Sequence, residues 1–225
     1  MKVGLMPGTA VICFVTIFIL VSTASDVLAR TRVVDGDTLE IDGRKVRLHG
    51  IDAPEAGQFC KKAVGGLWPC GKKAIETLNA LTSIGDVTCD DRGKDRYDRT
   101  IGVCEADGKI INAVMVLEGW AWAFRKYSMD YATIEDNARE RRLGVWQAVT
   151  ETPWDYRSRK WEIASQLAPA KCPIKGNISR QGNIYHAPWS PWYGKTHVNT
   201  AKGERWFCSE EQALEAGWRA PFWGN

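Results

Sequence analysis

Three short stretches of the chain carry the side chains that could do chemistry. Residues 33–38 read Val-Val-Asp-Gly-Asp-Thr, so Asp35 and Asp37 flank a glycine where a strand begins. Residues 47–55 read Arg-Leu-His-Gly-Ile-Asp-Ala-Pro-Glu. Pro54 fixes its own φ and pushes Ala53 into an extended conformation, so Asp52, the Ala53 carbonyl and Glu55 ride on a stiff loop. Residues 95–99 read Asp-Arg-Tyr-Asp-Arg and fall between two strand-like runs. Two carboxylates and a backbone carbonyl are hard oxygen ligands, suited to Ca²⁺ more than to Zn²⁺. Two arginines can clamp an anion and stay charged at any working pH. A further carboxylate can activate or orient water. A set of this kind suits attack at a phosphodiester, where cation and guanidiniums meet the charge that develops on phosphorus.

Composition narrows the alternatives. The chain has 225 residues, 44% of them hydrophobic and 25% charged, which excludes a disordered or collagen-like chain. With 3 histidines, a large His-built metal centre is not available. The net charge of +3 is only mildly basic. Any nucleic-acid role therefore rests on a specific site and not on a broad electrostatic footprint.

These clusters must be positioned by short elements. Leu39, Ile41, Val46 and Leu48 alternate with polar residues around Asp42-Gly43, a strong hairpin signal. A two-residue turn there puts Asp37 opposite Leu48 and Arg47 on the other face. Bringing Asp37 and Arg47 together then requires a bulge or strong coiling. Apolar spacing predicts a helix over 70–81. Residues 87–89 and 100–105 read as a second strand pair, 110–117 as a short helix, and 131–143 as a charged helix capped by Gly144. Five or so short strands with three helices point to a small β-barrel carrying helices. Residues 166–171 (Gln-Leu-Ala-Pro-Ala-Lys) read as a linker, and residues 172–225 hold five of the eleven tryptophans. A unit so small needs large aromatics and a staple to fold.

Residues 9–21 are almost all apolar and follow a basic start, with Ala24 and Ala29 as possible cleavage positions. This pattern reads as a secretory signal peptide over 1–29, with an uncleaved membrane anchor as the alternative. Outside Cys13, the six cysteines allow 15 connectivities, and local context favours sequential pairing: Cys60 with Cys70, Cys89 with Cys104, Cys172 with Cys208. A zinc site from Cys172, His186, His197 and Cys208 is the rival, although it lacks the usual paired spacing.

The chain resembles the thermonuclease family. The resemblance covers about 31–146 and rests on Val-Asp-Gly-Asp-Thr at 34–38, Arg-Leu-x-Gly-Ile-Asp-Ala-Pro-Glu at 47–55 and Asp-Arg-Tyr-x-Arg at 95–99. It continues through Ala-Asp-Gly-Lys-Ile-Ile-Asn at 106–112, Leu-Glu-Gly-Trp-Ala at 117–121 and Leu-Gly-Val-Trp at 143–146. It implies an α+β fold, an OB-fold five-stranded β-barrel with three helices, at 30–166. A linker at 167–171 and a small C-terminal module at 172–225 would follow. It implies that Asp37 and Asp52 bind Ca²⁺ through carboxylates and Ala53 through its carbonyl, with Asp35 beside the metal. It makes Glu55 the general base or water-orienting group and sets Arg47 and Arg99 on the phosphate. Tyr97 and Tyr127 match tyrosines that line the family's nucleotide pocket, and Arg125 stands where another pocket tyrosine is usual. Residues 153–162 resemble a terminal extension of exported bacterial members. The expectation is an exported, periplasmic or secreted, monomeric calcium-dependent nuclease with DNA and RNA as substrates. The rival is a non-catalytic OB-fold binding module in envelope or polysaccharide assembly.

Overall fold

The computed structural model describes Met1 and residues 31–222. The expected signal segment, apart from Met1, and Trp223 lie outside the described residues. The chain begins with β1 (Thr31–Asp35), β2 (Thr38–Ile41) and β3 (Arg44–Leu48). Asp42 and Gly43 both take positive φ, 50° and 78°, the geometry that lets a two-residue turn follow the twist of its strands. Val33, Leu39, Ile41, Val46 and Leu48 all point into the core, as their alternation predicts. β4 (Ile51–Asp52) then leaves the sheet, and β5 (Cys60–Lys61) pairs with β6 (Leu67–Trp68). Helix α1 (Cys70–Thr82) follows, then β7 (Thr88–Lys94), β8 (Thr100–Ala106), β9 (Lys109–Ile110) and α2 (Ile111–Leu117). β10 (Trp122–Ala123) pairs with β4, and α3 (Ala132–Glu140) and α4 (Pro153–Leu167) come next.

The main sheet has the order β1-β2-β3-β8-β7, with β9 on β8. The expected five-stranded barrel is not what forms. This is an open, mixed six-stranded sheet: β1 and β7 are its two ends and do not pair, and β3 and β8 run parallel. The physical reason lies in what covers the core face. Ala74, Ile75 and Leu78 of α1 and Ile111, Met115 and Val116 of α2 are buried against Val33, Leu39 and Leu48. Helices fill the space that a curling sheet would enclose, while β7 is exposed along almost its whole length.

Helix ends differ from expectation in one instructive place. Helix α3 stops at Glu140, and Gly144 instead opens a 3-10 turn, Gly144–Gln147. A Cβ on Gly144 would lie 2.1 Å from the Gly119 oxygen, and one on Gly119 would lie 2.4 Å from the Leu143 oxygen. The two glycines permit backbone-to-backbone contact, which is why both must lack a side chain.

A second apolar cluster forms beyond α4 from β11 (Ile174–Ser179), β12 (Gly182–His186), β13 (Trp206–Phe207) and α5 (Glu210–Glu215). Ile174, Tyr185, Phe207, Ala213 and Trp218 are its buried members, and Trp161 of α4 packs against them. Residues 167–171 hold the last residue of α4 and the turn Pro169–Lys171. All three expected disulfides are present: Cys60–Cys70, Cys89–Cys104 and Cys172–Cys208. The last joins the two thiols that the rival zinc site would have used. Among the described residues, no helix is long and apolar enough to cross a membrane.

Candidate active site

Asp37 sits in the connection from β1 to β2. The register of β1 shifts between Val33 and Asp35, so one residue is bulged out there. Val33 and Val34 are consequently both buried, and the strand's direction changes just before the acids. The Leu48 N–H donates to the Asp37 carbonyl at 2.8 Å, so Asp37 does stand opposite Leu48. Arg47 nevertheless reaches it from the other face: Nη1 donates to Asp37 Oδ1 at 3.2 Å, and Nη2 lies 3.1 Å from Oδ2. The Arg47 Nη2 also donates to Asp52 Oδ1 at 3.0 Å. One guanidinium therefore bridges the two aspartates.

The 52–58 loop is fixed from several sides. Asp52 is paired with Trp122 through β4 and β10 and is fully buried. The Ala53 N–H donates to Asp37 Oδ2 at 3.4 Å. Gln58, itself buried, accepts from the Glu55 N–H at 3.2 Å and donates to the Glu151 carbonyl at 2.8 Å. Helix α1 starts against this loop: a Cβ on Gly71 would lie 1.7 Å from the Glu55 oxygen. The Cys60–Cys70 bridge closes the same loop onto the helix start. Further along, Asn112 accepts from the Cys104 N–H and donates to the His49 and Gly102 carbonyls, tying β8 to the loop before β4.

The electrostatics follow from this enclosure. Burial pushes the Glu55 carboxyl up to about 7; the Arg157 guanidinium opposes the rise, and the Asp52 and Asp37 charges add to it. Burial also lifts Asp35 well above the usual carboxylate range, reinforced by the charges of Glu55 and Asp37. Asp37 moves the other way. Burial alone would raise it, but Arg47, Arg99 and Arg157 together with the Thr38 hydroxyl hold it below its ordinary value.

Arg157 is the member of this cluster that the sequence reading missed. From α4 its Nη1 donates to Asp52 Oδ1 at 3.1 Å and to Glu55 Oε1 at 2.6 Å, and its Nη2 donates to Asp52 Oδ2 at 2.7 Å. One signal points to its helix: Thr152, Pro153 and Asp155 spell a helix start.

The remaining expected residues lie at the edges. Arg99, just before β8, gives its Nε to Asp95 Oδ2 at 2.7 Å, and the Tyr97 ring lies 5.1 Å from its guanidinium. Tyr127 is 70% exposed and contacts Phe124 edge-on. The Arg125 guanidinium is shared among Glu135, Asp136 and the Ala132 carbonyl. It borders a separate cavity of about 460 Å³ that also includes Trp122, Phe124 and Trp154. The structure thus brings Asp37, Arg47, Asp52, Ala53 and Glu55 together and leaves Tyr127 and Arg125 apart from them.

Among the described residues, no group of three or more His, Cys, Asp or Glu side chains is arranged to hold a metal ion. The oxygen chemistry of Asp37, Asp52 and the Ala53 carbonyl still fits a hard divalent cation. What stands against the two carboxylates is a pair of guanidiniums.

Residues 45–148 match the family model described as Staphylococcal nuclease homologue. Residues 161–220 match a second one described as ArfC. A succinoglycan biosynthesis protein, ExoI, of Rhizobium meliloti is 36% identical over 131 residues, 57% of this chain and 69% of that protein. A micrococcal nuclease of Shigella flexneri is 34% identical over 187 residues, 75% of this chain and 99% of that protein. An uncharacterized endonuclease of Haemophilus influenzae is 33% identical over 145 residues, 61% of this chain and 76% of that protein.

Proposed function

The chain belongs to the staphylococcal nuclease homologue family, and on that premise we propose that it is a calcium-dependent nuclease cutting DNA and RNA. The observation that carries this reading is one buried centre in which Arg47 joins Asp37 to Asp52 and Arg157 joins Asp52 to Glu55. Asp37, Asp52 and the Ala53 carbonyl would hold Ca²⁺, with Asp35 behind them. The ion would supply Lewis-acid polarisation of a phosphoryl oxygen. Glu55 holds and orients the attacking water and takes its proton. Its raised affinity for that proton matches a base working near neutrality. Arg47 and Arg99 meet the charge gathering on the phosphoryl oxygens. Tyr97, beside Arg99, and the exposed Tyr127 contact the nucleotide. Arg125, already shared with Glu135 and Asp136, is a weaker contact.

The same reading makes residues 1–29 an export signal and the folded protein an exported monomer. It divides the folded chain into a catalytic part over 30–166 and a small part over 172–225. The disulfides support an oxidising compartment. The test is cleavage of linear DNA and of RNA by the purified protein, with Ca²⁺ and with excess chelator. Calcium-dependent cutting of both is expected. Undiminished cutting in chelator overturns the metal assignment. Intact nucleic acid under both conditions overturns the nuclease reading in favour of a binding role, such as one in polysaccharide assembly.

A further inference from the structure

Arg157 lies beyond residues 45–148, the span that the family model matches, yet it reaches into the acidic centre. Asp52 is fully buried, and each of its carboxylate oxygens already accepts from a guanidinium. A cation can reach Asp52 only by taking a place that a guanidinium now fills. Arg47 is held by both aspartates and comes from the middle of a sheet. Arg157 comes from helix α4 at the edge of the site, with 24% of its side chain exposed against 21% for Arg47. Of the two guanidiniums, only that of Arg157 can withdraw without a change in the main sheet, since it is carried on α4.

Charge gives the same answer. Counted as ions, Asp37, Asp52 and Glu55 bring three negative charges against the two guanidiniums of Arg47 and Arg157. Adding a divalent ion to that set puts four positive charges against three, with like charges only a few ångströms apart. Arg99 adds to the positive side from farther off, so withdrawing Arg157 as the ion enters lowers the excess of positive charge. The low-dielectric surroundings make the difference costly to ignore.

We propose that Arg157 is a built-in counter-ion that fills the divalent-cation place, and that calcium must displace it from Asp52 and Glu55. In the closed arrangement the Arg157 Nη1 donates to Glu55 Oε1 and covers the oxygen that water needs. Displacement uncovers Glu55 in the same movement and leaves the guanidinium at the rim of the site. Arg157 thereby makes metal binding and the release of Glu55 one event. This inference rests on the calcium reading above.

The test is calcium titration of the whole protein by calorimetry at fixed pH and salt, comparing wild type with Arg157→Gln and Arg157→Lys. Removing the competitor should tighten Ca²⁺ binding roughly tenfold or more in Arg157→Gln, with Arg157→Lys in between. Equal or weaker binding by Arg157→Gln overturns the inference while leaving the calcium reading intact. Binding by none of the three proteins at millimolar Ca²⁺ overturns the calcium reading itself. Thermal melting supplies a second readout for a variant that folds poorly without metal. In chelator Arg157→Gln should melt below wild type, and Ca²⁺ should raise its melting temperature by more. An equal rise in both proteins counts against displacement.

Discussion

At the scale of single residues, the site depends on two kinds of precision: where charge sits and where bulk is absent. Glu55 is held by Gln58 at its backbone and by Arg157 at its carboxylate. Glu55→Gln keeps the shape but cannot accept a proton. Its kcat should fall on the order of 10²–10⁴-fold with KM nearly unchanged, measured by steady-state cleavage of a defined oligonucleotide. A wild-type kcat would remove Glu55 from the water-handling role. Gly71 is the second case. Its missing Cβ leaves room for the Glu55 carbonyl, which a methyl would approach to 1.7 Å. Helix and loop must separate in Gly71→Ala, at a cost of about 1–3 kcal/mol. Calorimetric melting should show a drop of several degrees, and kcat should fall with it because the displaced segment carries Glu55.

At the scale of elements, α4 is the piece that joins site and periphery. Thr152 caps it by accepting from the Asp155 N–H at 3.3 Å, and Pro153 occupies its first turn. Thr152→Ala should cost about 1 kcal/mol. Amide exchange should quicken first in the turn that carries Tyr156 and Arg157, and a uniform change across the protein would contradict that. This element also marks where the sequence was legible and where it was not. The β2–β3 hairpin, α1 and the stiff 52–55 loop follow from spacing, turn residues and Pro54, which are local. The Asp37–Arg47 contact was readable only as a requirement for a bulge or strong coiling; the β2–β3 register is regular, with Thr38 opposite Arg47, and the long Arg47 side chain reaches Asp37 diagonally. The open sheet was not readable. Whether β1 meets β7 depends on how much of the core face α1 and α2 cover, and no local pattern encodes that. Arg157 escaped because its partners lie more than a hundred positions away.

At the scale of the whole molecule, the second apolar cluster is coupled to the first part through the same helix. Trp161, one turn beyond Arg157, packs on the cluster of Ile174, Phe207 and Trp218 and lies 6.3 Å from the Trp189 ring. The chain near Trp189 and Pro191 also lies close against Gly57 in the 52–58 loop, and Arg96 pairs with Glu211 of α5 at 3.3 Å. The Cys172–Cys208 bridge spans 36 residues, and opening it should cost about 2–5 kcal/mol. Cys172→Ser with Cys208→Ser should therefore expose the segment beyond 171 to protease. Nuclease activity should fall as well, because the support of α4 is loosened. Full activity beside a digested tail would mean that the first part stands alone.

Separation along the sequence is also separation in time. Asp52 and its partner Arg157 are 105 positions apart. A ribosome adding about 5–20 residues each second needs about 5–20 s to cross that distance. Through that interval the growing chain already contains every acid of the centre, but it lacks the arginine that caps them. The last of the centre's charged groups to be synthesised is the one that shuts it.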